Sequence, residues 1–188
     1  MNKSRGFTLV ELLMVIAIVA VLTTLAAPSF KRTIQSNTIS SSVNSFLADL
    51  RYARSEAIRR GGGVVMCRSN KPEAANPTCG SGSGIDGNGW VSGWIIFHDL
   101  NNNGDKNSGD LVLRVQSPLT SLNSIVESNS SPRYKFRFTA TGRLQNLSSA
   151  TSLQFGGNDN YTNDLQRVVC VSLGGRGRVA GDGYAACS

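Results

Sequence analysis

From Phe7 to Ala27 the chain reads FTLVELLMVIAIVAVLTTLAA, apolar at almost every position and interrupted by one acidic side chain, Glu11. Apolarity on all sides, with no polar face, marks a helix that meets no water around its girth. At about 1.5 Å per residue the run is long enough to cross the roughly 30 Å hydrocarbon layer of a bilayer. Pro28 stands at its outer end, where the ring is expected to kink or interrupt the helix, and Lys31 and Arg32 follow where the chain would meet lipid headgroups. Beyond that point the pattern changes. Ile39, Val43, Phe46, Leu50, Ala53 and Ala57 recur at alternating steps of four and three, which predicts one apolar stripe on a helix resuming over 28–60 and ending near Arg60. Such a stripe is core that covers a sheet. Arg51, Arg54, Arg59 and Arg60 lie off it and read as a solvated face, and Gly61, Gly62 and Gly63 end the helix.

After the glycines the apolar runs become short and are separated by polar turns: VVMC, WIIF, LVLRV, SIVE, RYKFRFT and RVVCVS. This texture predicts an antiparallel β domain over 61–188, so the fold class is α+β, with one long N-terminal helix. In RYKFRFT, alternation sets Tyr134, Phe136 and Phe138 on one face and Arg133, Lys135 and Arg137 on the other, the latter expected to be a solvated outer face. Trp90 and Trp94 flank the start of a strand and are expected to pack in the core.

At 188 residues the chain has room for one domain plus an appendage, and its formal net charge of +7 is supplied mainly by arginine. The charge is uneven. From Arg133 to Ser188 there are seven basic residues against three acidic ones, whereas Ile85 to Val115 carries four Asp against Lys106 and Arg114. The positive field therefore belongs to the C-terminal half. Four cysteines, Cys67, Cys79, Cys170 and Cys187, form no C-x-x-C pair, and His98 is the sole histidine, which argues against a zinc site and for disulfides in an exported protein. Four cysteines allow three connectivities; the near-neighbour choice, Cys67 with Cys79 and Cys170 with Cys187, closes two short loops worth about 3 kcal/mol each in the chain-entropy model.

Three stretches invite chemistry and support little of it. In DLNNNGDKNSGD, Asp99, Asn101, Asn103, Asp105 and Asp110 match much of a calcium loop, but the closing position is Asp instead of the longer Glu and the flanks read as strands. Asn/Asp/Gly turn chemistry explains the same residues as a polar loop between strands, so no metal is assigned. The stretch GSGSGIDGNG, Gly80 to Gly89, lacks the Lys-Ser/Thr ending of a phosphate-cradling loop and reads as a surface loop. His98 beside Asp99 has no nucleophile elbow to serve, and the chain is read as no enzyme, with no cofactor.

A carboxylate inside an apolar helix asks for a partner. Cleavage between Gly6 and Phe7 would create one, a positive α-amino group near the depth of Glu11, so two copies side by side could pair amine with carboxylate. Residues 1–6, MNKSRG, then form a polar leader ahead of a helix over 7–27; cleavage after Ala27, as by a secretory signal peptidase, is the alternative. The run GFTLVELLMVIAIVAVL closely resembles the class III signal of type IV pilins and pseudopilins, and SFLADLRYARSEAIRRGGGVVMC with GWIIFHDLNNNGDKNSGDLVLRV is similar to the GspH/FimT family of minor pilins. The resemblance implies a pilin-like fold, a long helix packed on an antiparallel β-sheet or sandwich. It implies cutting after Gly6 by the prepilin peptidase, N-methylation of Phe7, and a role for Glu11 in docking among other minor and major pilins. It further implies a single-pass precursor in the bacterial inner membrane with the β domain in the periplasm, and then a place in a pilus at or near the tip.

The chain closes with CVSLGGRGRVAGDGYAACS. Gly174 and Gly175 suit a tight turn, and GRGRV reads as the returning strand of a hairpin. In an extended strand Arg176 and Arg178 point the same way, about 6.7 Å apart, with Gly175 and Gly177 leaving their approach clear. The tail resembles the G-R-x-R motif of DNA-binding FimT-type pilins, which implies DNA as a partner and uptake in natural transformation, with Lys135, Arg137 and Arg143 as lesser contributors. The alternative is a purely structural minor pilin, or a type II secretion pseudopilin, that primes filament assembly without binding DNA.

Overall fold

The computed structural model describes residues 6–127, 133–145, 149–156 and 161–187; residues 1–5 of the leader lie outside it. A single helix, α1, runs Leu9–Arg60, and the chain divides into two units, Met1–Asn37 and Thr38–Ser188. In the first unit the apolar residues from Leu9 to Ile34 are exposed, and this segment is long and apolar enough to cross a membrane. Pro28 is carried inside the helix, which is one element and does not break there. A proline removes a single N–H from the ladder, a loss that a helix of 52 residues carries without breaking.

The helix begins on a signal that the hydrophobic pattern hides. Thr8 caps it: the Thr8 N–H and hydroxyl both donate to Glu11 Oε2 at 2.9 Å, and the Glu11 N–H donates to Thr8 Oγ1 at 3.3 Å. This is a reciprocal capping box of the form T-x-x-E, in which two otherwise orphaned donors are satisfied.

In the second unit, eight strands are described: β1 (Gly62–Arg68), β2 (Trp94–His98), β3 (Leu111–Gln116), β4 (Ile125–Glu127), β5 (Lys135–Thr139), β6 (Thr151–Phe155), β7 (Arg167–Val171) and β8 (Gly177–Gly181). They form two four-stranded sheets in the orders β3-β2-β1-β5 and β4-β6-β7-β8, with every pairing antiparallel. Ile39, Val43, Phe46, Leu50, Ala53 and Ala57 are all buried, so the predicted stripe is the face that α1 lays on the sheets. Phe46 is its centre. Its ring meets Trp90 and Trp94 edge-on at 5.5 Å each, Phe155 of β6 at 5.7 Å and Phe136 of β5 at 6.3 Å, so one helical side chain ties both sheets. Edge-to-face pairs of this kind add about 0.5–1.5 kcal/mol each to the burial of the rings.

The first sheet is covered on both sides. Val64, Met66 and Ile96 face α1, while Val65, Cys67, Ile95 and Phe97 form a second, smaller apolar layer with Cys79 on the other face. Cys67 is bonded to Cys79, with Cα atoms 5.5 Å apart, and Cys170 to Cys187, with Cα atoms 5.6 Å apart.

Candidate functional site

The β7–β8 hairpin turns where the Gly175 N–H donates to Ser172 O and the Ser172 N–H to Arg176 O, both at 2.9 Å. Gly175 has a φ of +70°, a conformation that glycine adopts without steric cost. Register pairs Gly177 with Val171 and Arg178 with Cys170. Directly paired residues share a face, so Gly177 turns inward with buried Val171, and Arg178 turns outward with Cys170. The fit inside is tight. A Cβ on Gly177 would lie 2.5 Å from Leu47 Cδ2 and 2.9 Å from Leu50 Cδ2, and one on Gly175 would lie within van der Waals overlap of Gly142 O. The two glycines thus do more than clear the way for arginine: their bare backbone lets the hairpin sit against α1 and the turn after β5. Arg176 and Arg178 are both exposed. The Cys170–Cys187 bridge draws the tail back onto β7, at the residue paired with Arg178.

Seated this way, the hairpin forms one wall of a cleft of about 340 Å³. Gly175, Arg176 and Gly177 line one side, and Arg51, Arg54, Ser55 and Ile58 of α1 line the other. The helical four are spaced i, i+3, i+4, i+7, a single face of α1. Arg54 Nε donates to Gly142 O at 3.1 Å, which fixes its guanidinium in the cleft wall, while Arg51 is exposed. Arg51 and Arg54, expected on a solvated face, therefore belong to a structured junction. Arg59 and Arg60 are occupied differently: both donate to Glu56 at 2.7 Å, and these bonds hold the Glu56 carboxyl down to about 2. Arg143 is exposed in the turn after β5, and that turn is joined to the hairpin by the Leu144 N–H, which donates to Leu173 O at 2.9 Å.

Lys135 and Arg137 are placed elsewhere. They share the outer face of the first sheet with Cys67 and Val65, to which they are paired, and the β2–β3 loop folds over them. Lys135 Nζ donates to Asp105 Oδ1 at 2.9 Å and to Gly104 O at 3.2 Å; Arg137 donates to Asn102 O at 2.8 Å. The predicted solvated face is instead a partly covered one, because the small apolar layer beneath it needs a lid. Asp105 of that lid serves Lys135, while Asp99 and Asp110 are used on the lid's own backbone. Asp99 accepts from the Gly104 and Asn103 N–H groups at 2.6 and 3.2 Å, Asp110 accepts from Asn107 and Leu100 at 2.7 and 3.0 Å, Asn101 accepts from Asn103 at 3.1 Å, and Asn103 accepts from Asp105 at 2.8 Å. No group of three or more His, Cys, Asp or Glu side chains that could hold a metal ion occurs among the described residues.

Two buried polar contacts escape the pattern of the sequence. Asp49 lies beside the apolar stripe, where Oδ2 accepts from Trp94 Nε1 at 2.8 Å and Oδ1 pairs with Arg114 at 2.9 Å; burial pushes its carboxyl above the usual range, against both contacts. A lone acid flanking Phe46 and Leu50 was the available signal. Arg68, at the end of β1, is buried and donates to the carbonyls of Ser81 and Gly82, so the glycine-rich stretch wraps an arginine. A Cβ on Gly80 would lie 2.9 Å from Arg68 Nη2.

A family model described as type II transport protein GspH matches residues 42–175, and one described as the prokaryotic N-terminal methylation motif matches residues 1–27. No curated protein matches the chain. Two crystal structures of the type IV minor pilin FimU from Pseudomonas aeruginosa PAO1 are similar in fold. The form in space group P21 superposes with a TM-score of 0.55 at 21% identity, over 81% of this chain and 95% of that one. The form in P65 gives 0.52 at 22% identity, over 79% and 98%.

Proposed function

The chain belongs to the GspH family of type IV pilin-like minor pilins and pseudopilins, and from that premise we propose that its β domain binds DNA without sequence preference through Arg176 and Arg178, serving DNA uptake in natural transformation. The observation that carries the reading is the division of the hairpin: glycine packs inward against α1, Arg178 faces outward beside a disulfide, and Arg176, also exposed, stands at the turn on the edge of the cleft. A stiffened strand loses little entropy on binding, and guanidinium groups on one face can reach successive phosphates of a backbone. Arg143, in the neighbouring turn, extends the same basic surface. Lys135 and Arg137 contribute less, because the loop over them already uses their donors.

The rest of the reading follows the family. Cleavage between Gly6 and Phe7 frees an amine beside the Thr8–Glu11 cap, and Glu11 then pairs with the amine of a neighbouring pilin during assembly. The precursor is held in the inner membrane with the β domain in the periplasm, and the mature subunit sits near the pilus tip.

Binding should fall in the range of order 10⁻⁴ to 10⁻⁶ M at physiological salt, as for other non-specific contacts to the phosphate backbone. Replacing Arg176 and Arg178 together by Gln should weaken binding and lower the salt slope by about 0.9 per arginine, in a titration monitored by fluorescence anisotropy. Unchanged affinity and slope would return the protein to filament assembly alone, as a structural minor pilin or a secretion pseudopilin.

A further inference from the structure

We infer that the cleft between α1 and the β7–β8 hairpin is a phosphate seat, in which Arg51 and Arg54 of the helix close on a DNA backbone held from the other side by Arg176. This rests on the DNA-binding reading of the hairpin and adds a second wall to it. Three arginines from two separate elements line one cleft of about 340 Å³, and among the described residues no acidic one lines it. Among the described residues, no acidic side chain pairs with Arg51, Arg54 or Arg176. Like charges brought together without counter-charge raise the energy of the empty site, and an anion relieves it. The cluster is positioned by the fold. Gly177 permits the close approach of the hairpin to Leu47 and Leu50, and Arg54 is fixed by its bond to Gly142 O. That bond uses Nε and leaves the two terminal nitrogens of Arg54 to face a ligand, while Ser55 and Ile58 complete the helical wall. The two free oxygens of a phosphodiester diverge from a tetrahedral centre, so guanidinium forks on opposing walls can each take one, whereas the two oxygens of a carboxylate lie in one plane and suit a single fork.

The test uses the full chain in detergent micelles and a labelled, random-sequence duplex, titrated at several salt concentrations. Arg51→Gln with Arg54→Gln should weaken binding roughly tenfold and reduce the salt slope by about 0.9 per arginine. Arg59→Gln with Arg60→Gln removes the same charge from the same helix outside the cleft and should leave the slope unchanged. Fluorescence of Trp90 and Trp94, both in the core, reports whether each variant is folded. If loss of the Arg54 bond disturbs the junction, Arg51→Gln alone serves, since Arg51 is exposed and should still lower the slope by about 0.9. Wild-type binding by the Arg51/Arg54 variant, beside lost binding by the Arg176/Arg178 variant, would overturn the seat and leave the hairpin reading intact. No binding by the wild-type chain would overturn both. Normal DNA binding by the Arg51/Arg54 variant combined with its exclusion from fibres would show that the cleft takes an acidic segment of a neighbouring pilin, which also overturns the inference.

Discussion

At the scale of the residue, Asp49 shows how one buried carboxylate ties a helix to a sheet at a cost. Its two oxygens serve Trp94 Nε1 and Arg114, yet burial outweighs both contacts and holds its carboxyl above the usual range. The unfolded chain ionises this group first, so its contribution to stability falls as pH rises from the ordinary Asp value through the raised folded one. Asp49→Ala leaves the Trp94 N–H buried without an acceptor and should cost about 1–3 kcal/mol in urea denaturation followed by tryptophan fluorescence. Asp49→Asn retains an acceptor and should cost less while removing the pH dependence. Glycines carry a comparable lesson. Gly175 and Gly177 were legible as turn and spacing residues, but their contacts with Gly142 and with Leu47 and Leu50 join segments distant in sequence, and no local pattern announces such a contact.

At the scale of the element, the last turn of α1 has its own electrostatics. Glu56 receives Arg59 and Arg60, cations placed where the helix C-terminus favours positive charge. Its folded value of about 2 lies below the ordinary 4.5, so the stabilisation is complete above the ordinary value and is lost as pH falls toward the folded one. Acid titration of stability should show this loss in wild type and not in Glu56→Gln. Added salt should reduce it, because the Arg59 side chain is 67% exposed and its charge is screened. The strand β6 tests legibility at the same scale. TSLQF alternates poorly, with Thr151 and Ser152 buried beside Leu153, and it is not among the short apolar runs that mark strands in the sequence; β4 and β7 pair with it on either side. Tertiary pairing decides such a segment because strand preference is largely a preference for the surroundings.

At the scale of the whole molecule, the chain divides into two units, Met1–Asn37 and Thr38–Ser188. The polar leader and the exposed apolar helix predict that the mature protein begins at Phe7 with a methylated amine, which intact mass spectrometry of protein from cells holding the prepilin peptidase checks. A mature chain beginning after Ala27 would remove the pilin reading of this protein. Uncut protein in those cells would do the same.

The long helix, its buried stripe, its glycine stop and most of the antiparallel strands were determined by the sequence alone, because each rests on a period that neighbouring residues impose on one another. The N-terminal motif was equally legible, being contiguous. What only the tertiary structure decided is which charges meet. Arg51 and Arg176 lie 125 positions apart in the chain and line one cleft, whereas Lys135 and Arg137, read as lesser parts of the basic surface, are covered by the β2–β3 loop of their own sheet. Periodicity assigns a side chain to a face of its own element; the packing of elements decides what that face meets, and the binding properties of a charged residue depend on that second step.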